Sequence, residues 1–186
     1  MQKINRDKFV AALQISFDGL SEKQVTALNI IVDCLEADVN VNDPRWSSYM
    51  LASSFWETGQ TWEPIEEYGK GAGHPYGVPD SQSGLIYYGR GYVQLTWKGN
   101  YATFTGLLHH DLVSHPEDAL DPAIAYQIMS IGMRKGLFTG VGLGRYFNEN
   151  VDDPVNARKI INGLDQAERI ASYHTRILAA IKESIQ

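Results

Sequence analysis

The sequence predicts a mainly α fold of the α+β kind: a helical domain around one long ordered Gly/aromatic loop, with at most a small β-hairpin. Three observations predict it. Apolar residues recur at helical spacing at both ends of the chain. Several Asp-Pro pairs stand where helices would begin. Between Gly59 and about Trp97 the helical period disappears, yet the stretch is too rich in aromatics to be disordered. Eight of the 17 glycines fall between Gly69 and Gly99, and seven Tyr and Trp residues lie from Trp62 to Trp97. A segment of this length without periodicity, inside a chain with a real core, signals function.

The helices follow in order. Residues 6–17 place Phe9, Leu13 and Phe17 at spacing four. Ser21 with Gln24 three residues on reads as a capping box that opens a helix running to about Ala37. Asp43-Pro44, Asp121-Pro122 and Asp153-Pro154 share one start signature. The Asp side chain accepts from free first-turn amides, and Pro sits where no amide hydrogen is needed. Ser114-His115-Pro116-Glu117 reads as a shorter start. The last helix is expected to begin at Asp165 with Glu168 as its box partner, and to bury Ile170, Tyr173, Ile177, Leu178 and Ile181. Short strands are expected at residues 65–68 and 85–88.

The 186 residues are expected to form a single catalytic domain without a separate wall-binding module. The net charge of -6 and the lack of a Lys/Arg run exclude a nucleic-acid partner. No apolar run reaches the ~18 residues of a membrane span, so stable membrane insertion is not expected. Met1-Gln2-Lys3-Ile4 leads into a charged amphipathic pattern and does not read as a secretory signal. The lone Cys34 excludes an internal disulfide and a cysteine zinc cluster, and reads as a buried structural thiol. His109, His110 and His115 fit no standard zinc spacing. Neither a metal nor a cofactor is expected.

Residues 87–101, from Tyr87-Tyr88-Gly89-Arg90-Gly91 to Gly99-Asn100-Tyr101, mix glycines, aromatics, one arginine and side-chain amides and hydroxyls. Aromatic faces stack on sugar rings, and amides and hydroxyls bond sugar substituents. Such a stretch reads as one wall of a carbohydrate cleft. Upstream, Glu57 ends the Pro44 helix. Trp46, Met50, Ser53 and Ser54 lie within roughly 60° of its face. A carboxyl in such surroundings is expected to hold its proton and serve as a general acid. Glu63, Glu66 and Glu67 supply a second carboxylate, because glycoside hydrolysis needs an acid and a base across the cleft. Trp62 and Trp97 can stack sugars or pack in the core. Arg90 can hold a substrate carboxylate or position a catalytic Glu, and Arg158 has the same two roles open. His74 reads as a loop residue.

Together these residues resemble glycoside hydrolase family 19, best known from plant chitinases, and more closely its phage endolysin branch. The resemblance spans about residues 44–175. It rests on Phe55-Trp56-Glu57-Thr58-Gly59, on the block at 87–101, and on Ala157-Arg158-Lys159-Ile160-Ile161-Asn162-Gly163 continuing as Asp165-Gln166-Ala167-Glu168-Arg169-Ile170. It implies Glu57 as general acid and Glu67 as general base, with Glu66 selected instead if the alignment shifts by one residue. It implies Thr96 as holder of the attacking water. Gln94, Asn100, Asn162 and Tyr88 then bind sugar, and Arg90 is placed with them. Trp56 stands where the family has a His, and the plant enzymes' cysteines are missing. The implied reaction is inverting hydrolysis of the N-acetylmuramic acid/N-acetylglucosamine backbone of peptidoglycan by a monomer. The implied setting is synthesis in a host cytoplasm and release to the wall that depends on a holin. The alternatives are a chitinase and a non-catalytic wall-sugar-binding protein.

Overall fold

The computed structural model describes residues 3–185; Met1 and Gln2 of the opening segment, and Gln186, lie outside the described residues. Within them the α-helices are α1 (Arg6–Ser16), α2 (Glu22–Ala37), α3 (Pro44–Glu57), α4 (Lys98–Leu108), α5 (Pro122–Lys135) and α6 (Ala167–Ser184). The strands β1 (Ile65–Glu66) and β2 (Arg90–Gly91) pair antiparallel, with Ile65 opposite Gly91 and Glu66 opposite Arg90. The mainly α class is therefore correct, and the sheet is as small as expected.

Local chemistry explains the helix starts. Ser21 and Gln24 form the full capping box of α2. The Asp43 carboxylate accepts from the Arg45 amide at 2.8 Å to start α3. Asp121 accepts from the Ala123 and Ile124 amides to start α5, which ends at Gly136 in the left-handed region. Two expected starts fail. Asp153 accepts from both the backbone and the side-chain amide of Asn156, and only a short 3-10 helix, Asn156–Ile160, follows. The last helix begins two residues later than expected, at Ala167. It is preceded by Gln166 in the left-handed region and has no side-chain cap. The second strand forms at Arg90–Gly91 instead of 85–88. The helix α4, directly after Trp97, had no sequence expectation because Lys98 and Gly99 give no cap signal.

The core is organised around α3. Every residue from Ser47 to Phe55 is buried, so this helix has no solvent face along those positions. Serines and Ala52 keep it thin, and α6 packs against it closely, as it also does against α1. Tyr49, Met50, Leu51 and Phe55 fill the space around it with Phe9, Leu13, Phe147 and Trp62. Trp62 is fully buried, and its indole N–H donates to the Leu51 carbonyl at 3.0 Å. Its role is packing, not sugar stacking. In the long loop, Gly77 meets Gly71 so closely that a Cβ would lie 1.8 Å from the Gly71 carbonyl oxygen. Two glycines at this crossing close the loop on itself.

His174 occupies the centre of the α6 buried face, where the sequence pattern placed only apolar residues. It is 2% exposed, its Nδ1 lies 2.9 Å from the Ser48 hydroxyl, and its ring stands 5.2 Å from Phe147. Burial pushes its pKa down to about 4. The unfolded chain, with His near its ordinary value of about 6.5, then binds the proton first. Stability from this residue is fully present above about pH 6.5 and is lost as the pH falls towards about 4. The expected slope across that window is up to about 1.4 kcal/mol per pH unit. Urea unfolding of wild type and His174→Gln over pH 4–7 checks it: the variant should lose this part of the slope.

Candidate active site

The block at residues 87–101 is shaped by its own polar groups. Leu95 and Arg90 form a β-bridge, with the Leu95 amide donating to the Arg90 carbonyl at 2.9 Å. Gln94 closes the turn at φ 54°, a left-handed conformation uncommon for a non-glycine residue. Its side-chain amide donates to the Ile65 and Gly91 carbonyls at 3.1 and 3.2 Å, which ties the turn to β1. Thr96 donates to the Gln94 carbonyl at 2.8 Å, and the Asn100 amide donates to the Thr96 carbonyl at 2.7 Å. Trp97 follows at φ 75° and starts α4 with half of its surface exposed. Both N–H groups of the Gln94 amide and one of the Asn100 amide are thus spent on the fold. Their oxygens are left to accept from a ligand, and one Asn100 N–H is left to donate.

This turn lines a cavity of about 390 Å³. Gln94, Thr96, Trp97 and Asn100 come from the block, Glu57 from the end of α3, and Asn162 from the segment after the 3-10 helix at Asn156–Ile160. Five of the eight residues expected at the site therefore meet: Glu57, Gln94, Thr96, Asn100 and Asn162. Tyr76 and Phe138 also line the cavity, and neither was foreseen. Tyr76 carried one usable signal, an aromatic between His74-Pro75 and Gly77 in an otherwise glycine-rich loop. Its ring stacks on His74 at 4.9 Å and meets Trp97 edge-on at 5.3 Å.

Glu57 does not sit against an apolar wall as expected. Its carboxylate accepts from Arg158 at 2.5 Å, in a pair whose side chains are 16% and 3% exposed. The Arg158 Nε donates to the Asp165 carbonyl at 3.0 Å. The reason is topological: the short helix carrying Arg158 packs on α6, which lies along α3 and brings the guanidinium to the end of that helix. Of the two roles open to Arg158, the structure gives it the ion pair. Trp56, in the place of the family's His, lies under the Arg169 guanidinium at 5.4 Å.

The two neighbouring glutamates face different partners. Glu67 accepts from the Gly89 amide at 3.1 Å and from the Tyr76 hydroxyl at 3.1 Å, so it is bonded to a residue that lines the Glu57 cavity. Glu66 instead accepts from the Tyr88 hydroxyl and pairs with Lys70 at 2.9 Å, with the Arg90 Nε 3.8 Å away. The Tyr88 hydroxyl bond, then Lys70, hold the Glu66 carboxyl below the usual carboxylate range. Tyr88 and Arg90 are turned to this network and away from the cavity. Arg90 lies 3.6 Å over the Tyr88 ring and donates to Ile86 and to the Tyr101 hydroxyl. Buried at 7% and 6% exposure, both act through Glu66 and the block's backbone, where sugar contact had been expected. Among the described residues, no cluster of His, Cys, Asp or Glu is arranged to hold a metal ion.

The mainly helical fold with its small sheet is shared with solved chitinases, a bacterial family 19 chitinase among them. Chitinase C from Streptomyces griseus HUT6037 superposes with a TM-score of 0.57 at 20% identity, covering 95% of this chain and 76% of that one. A crystallised mutant of chitinase C gives 0.54 at 20% identity, over 95% and 92% of the two chains. A bacterial family 19 chitinase whose structure differs from the plant enzymes gives 0.58 at 19% identity, over 96% and 94%. At these identities the likeness is one of fold. No family model matches the sequence, and no curated protein does.

Proposed function

We propose that the protein is an inverting glycosidase that cuts the N-acetylmuramic acid/N-acetylglucosamine backbone of peptidoglycan. The observation that carries this reading is the meeting of Glu57 with Gln94, Thr96, Asn100 and Asn162 around one cavity. A carboxyl thus stands among groups suited to acetamido sugars. In the proposed reaction Glu57 gives its proton to the glycosidic oxygen as the bond from C1 to that oxygen breaks. Water attacks C1 from the opposite face and passes its proton to Glu67, while Thr96 holds the water. Inversion needs room for that water, with carboxyls on the order of 6.5–9.5 Å apart. The Tyr76 link between Glu67 and the cavity supports Glu67 over Glu66, whose oxygens are engaged by Tyr88 and Lys70. A phage endolysin role, with release dependent on a holin, extends this reading from the motif resemblance.

A second reading, a chitinase, is favoured by the solved structures that share the fold. Mass spectrometry of soluble products from purified peptidoglycan and from chitin separates the two. Disaccharide-peptides released from peptidoglycan are the expected result. Products from chitin alone would make it a chitinase, and products from neither would make it a binding protein.

A further inference from the structure

Tyr49, Ser53 and Glu57 stand four residues apart along α3, so they climb one side of the helix with about 40° between steps. Glu57 at the top opens to the cavity. Tyr49 has no exposed surface and Ser53 is 1% exposed, and both hydroxyls are buried without a hydrogen-bond partner. Ser53 acts on the Tyr49 phenol as a hydrogen-bonding neighbour, yet neither hydroxyl makes a bond of full geometry. Other serines of this helix are satisfied: Ser54 donates to the Leu51 carbonyl, and Ser48 bonds Arg45 and His174. Native interiors rarely leave buried hydroxyls unpaired, because each costs stability. Two on successive turns beneath one ion pair call for a use.

The ion pair supplies the use. With Glu57 ionised, Arg158 satisfies it. A general acid must also exist with its proton on, and the neutral carboxyl then brings an O–H donor while releasing a guanidinium N–H. Both need acceptors, and on the side of the pair that faces the core only the protein can supply them. Burial pushes the Tyr49 phenol up, and the charges of Arg158 and Glu57 both act on it. The ionisable groups around these hydroxyls are few. Glu57 lies on α3 itself. Arg158 and Tyr146 come from the segment 143–160. His174 of α6 has its ring 5.7 Å from that of Tyr49. Arg169 lies over Trp56, and Tyr76 faces the same cavity as Glu57.

We propose that Ser53 and Tyr49 are positioning residues that receive the Glu57–Arg158 pair in its proton-loaded resting state, Ser53 accepting from the Glu57 carboxyl until the glycosidic oxygen takes its place, and Tyr49 accepting from the Arg158 guanidinium. The inference rests on the glycosidase reading for its purpose, but not for its test. Carboxyl-carbon NMR of the full chain titrates Glu57 directly, and isosteric Tyr49→Phe and Ser53→Ala keep the packing. Each should lower the Glu57 titration midpoint by about one pH unit, since a partner of the protonated form is lost. On glycan, kcat should fall about tenfold with KM unchanged, and the basic limb of the pH profile should move to lower pH. Ser53→Thr, which keeps the hydroxyl, should keep the wild-type midpoint, and thermal stability should not fall in Tyr49→Phe or Ser53→Ala. A wild-type midpoint in both Tyr49→Phe and Ser53→Ala overturns the proposal and leaves the hydroxyls as packing. Absence of hydrolysis by the wild type, with the midpoints shifted, overturns the glycosidase reading alone.

Discussion

Glu57→Gln should lose hydrolysis by a factor of about 10²–10⁴ in kcat while the protein stays folded, because Gln keeps the shape and the acceptor oxygen but has no proton to give. Release of new reducing ends from purified peptidoglycan measures it, with a thermal melt as the folding control. Glu67→Gln should lose a comparable factor, since water is then not deprotonated. Glu66→Gln separates the two neighbours. It leaves the Tyr76 hydroxyl on Glu67 in place and removes the charge that Lys70 and Arg90 face. Activity near wild type in Glu66→Gln, with loss in Glu67→Gln, is the expected pattern. The reverse pattern would move the base to Glu66. Undiminished lysis by Glu57→Gln would end the two-carboxylate mechanism.

The second large effect is on stability. Arg158→Met should cost about 3–5 kcal/mol, because a mostly buried carboxylate keeps its charge and loses its partner. The Asp165 carbonyl loses the Arg158 Nε at the same time. Urea midpoints of wild type, Arg158→Met, Glu57→Gln and the double variant form a cycle. The double variant should recover most of the loss, since the stranded charge is gone. An Arg158→Met protein as stable as wild type would mean that Glu57 is better solvated than its 16% exposure implies.

The fold was legible wherever a helix began with a side chain that accepts from its own amides. Ser21, Asp43 and Asp121 are such cases. It was illegible where the stop and start depend on tertiary contact. The uncapped Gln166 turn and the onset of α4 after Trp97 are set by packing, and no local residue announces them. The cavity wall from Gln94 to Asn100 was readable because it is contiguous in sequence. Arg158 beside Glu57 was not, since 101 positions separate them and only the packing of α6 on α3 brings them together. Tyr88 and Arg90 misled for a related reason. Their types suit sugar contact, but Arg90 stands opposite Glu66 in the β pair and the Tyr88 hydroxyl donates to the same carboxylate.

The two proposed carboxylates are anchored to parts of the molecule with unequal resistance to local opening. Glu57 ends a helix whose residues from Ser47 to Phe55 are all buried, so its backbone is released only when the core as a whole comes apart. Glu67 leans on Tyr76, in a loop closed by two glycines and with many exposed neighbours. Partial opening of that loop would take the Tyr76 hydroxyl from Glu67, leave Gly89 as its holder, and keep the acid and its arginine in register. A chain opened in this way would remain a folded protein whose acid is fixed and whose base is held by one bond fewer, restored when the loop closes.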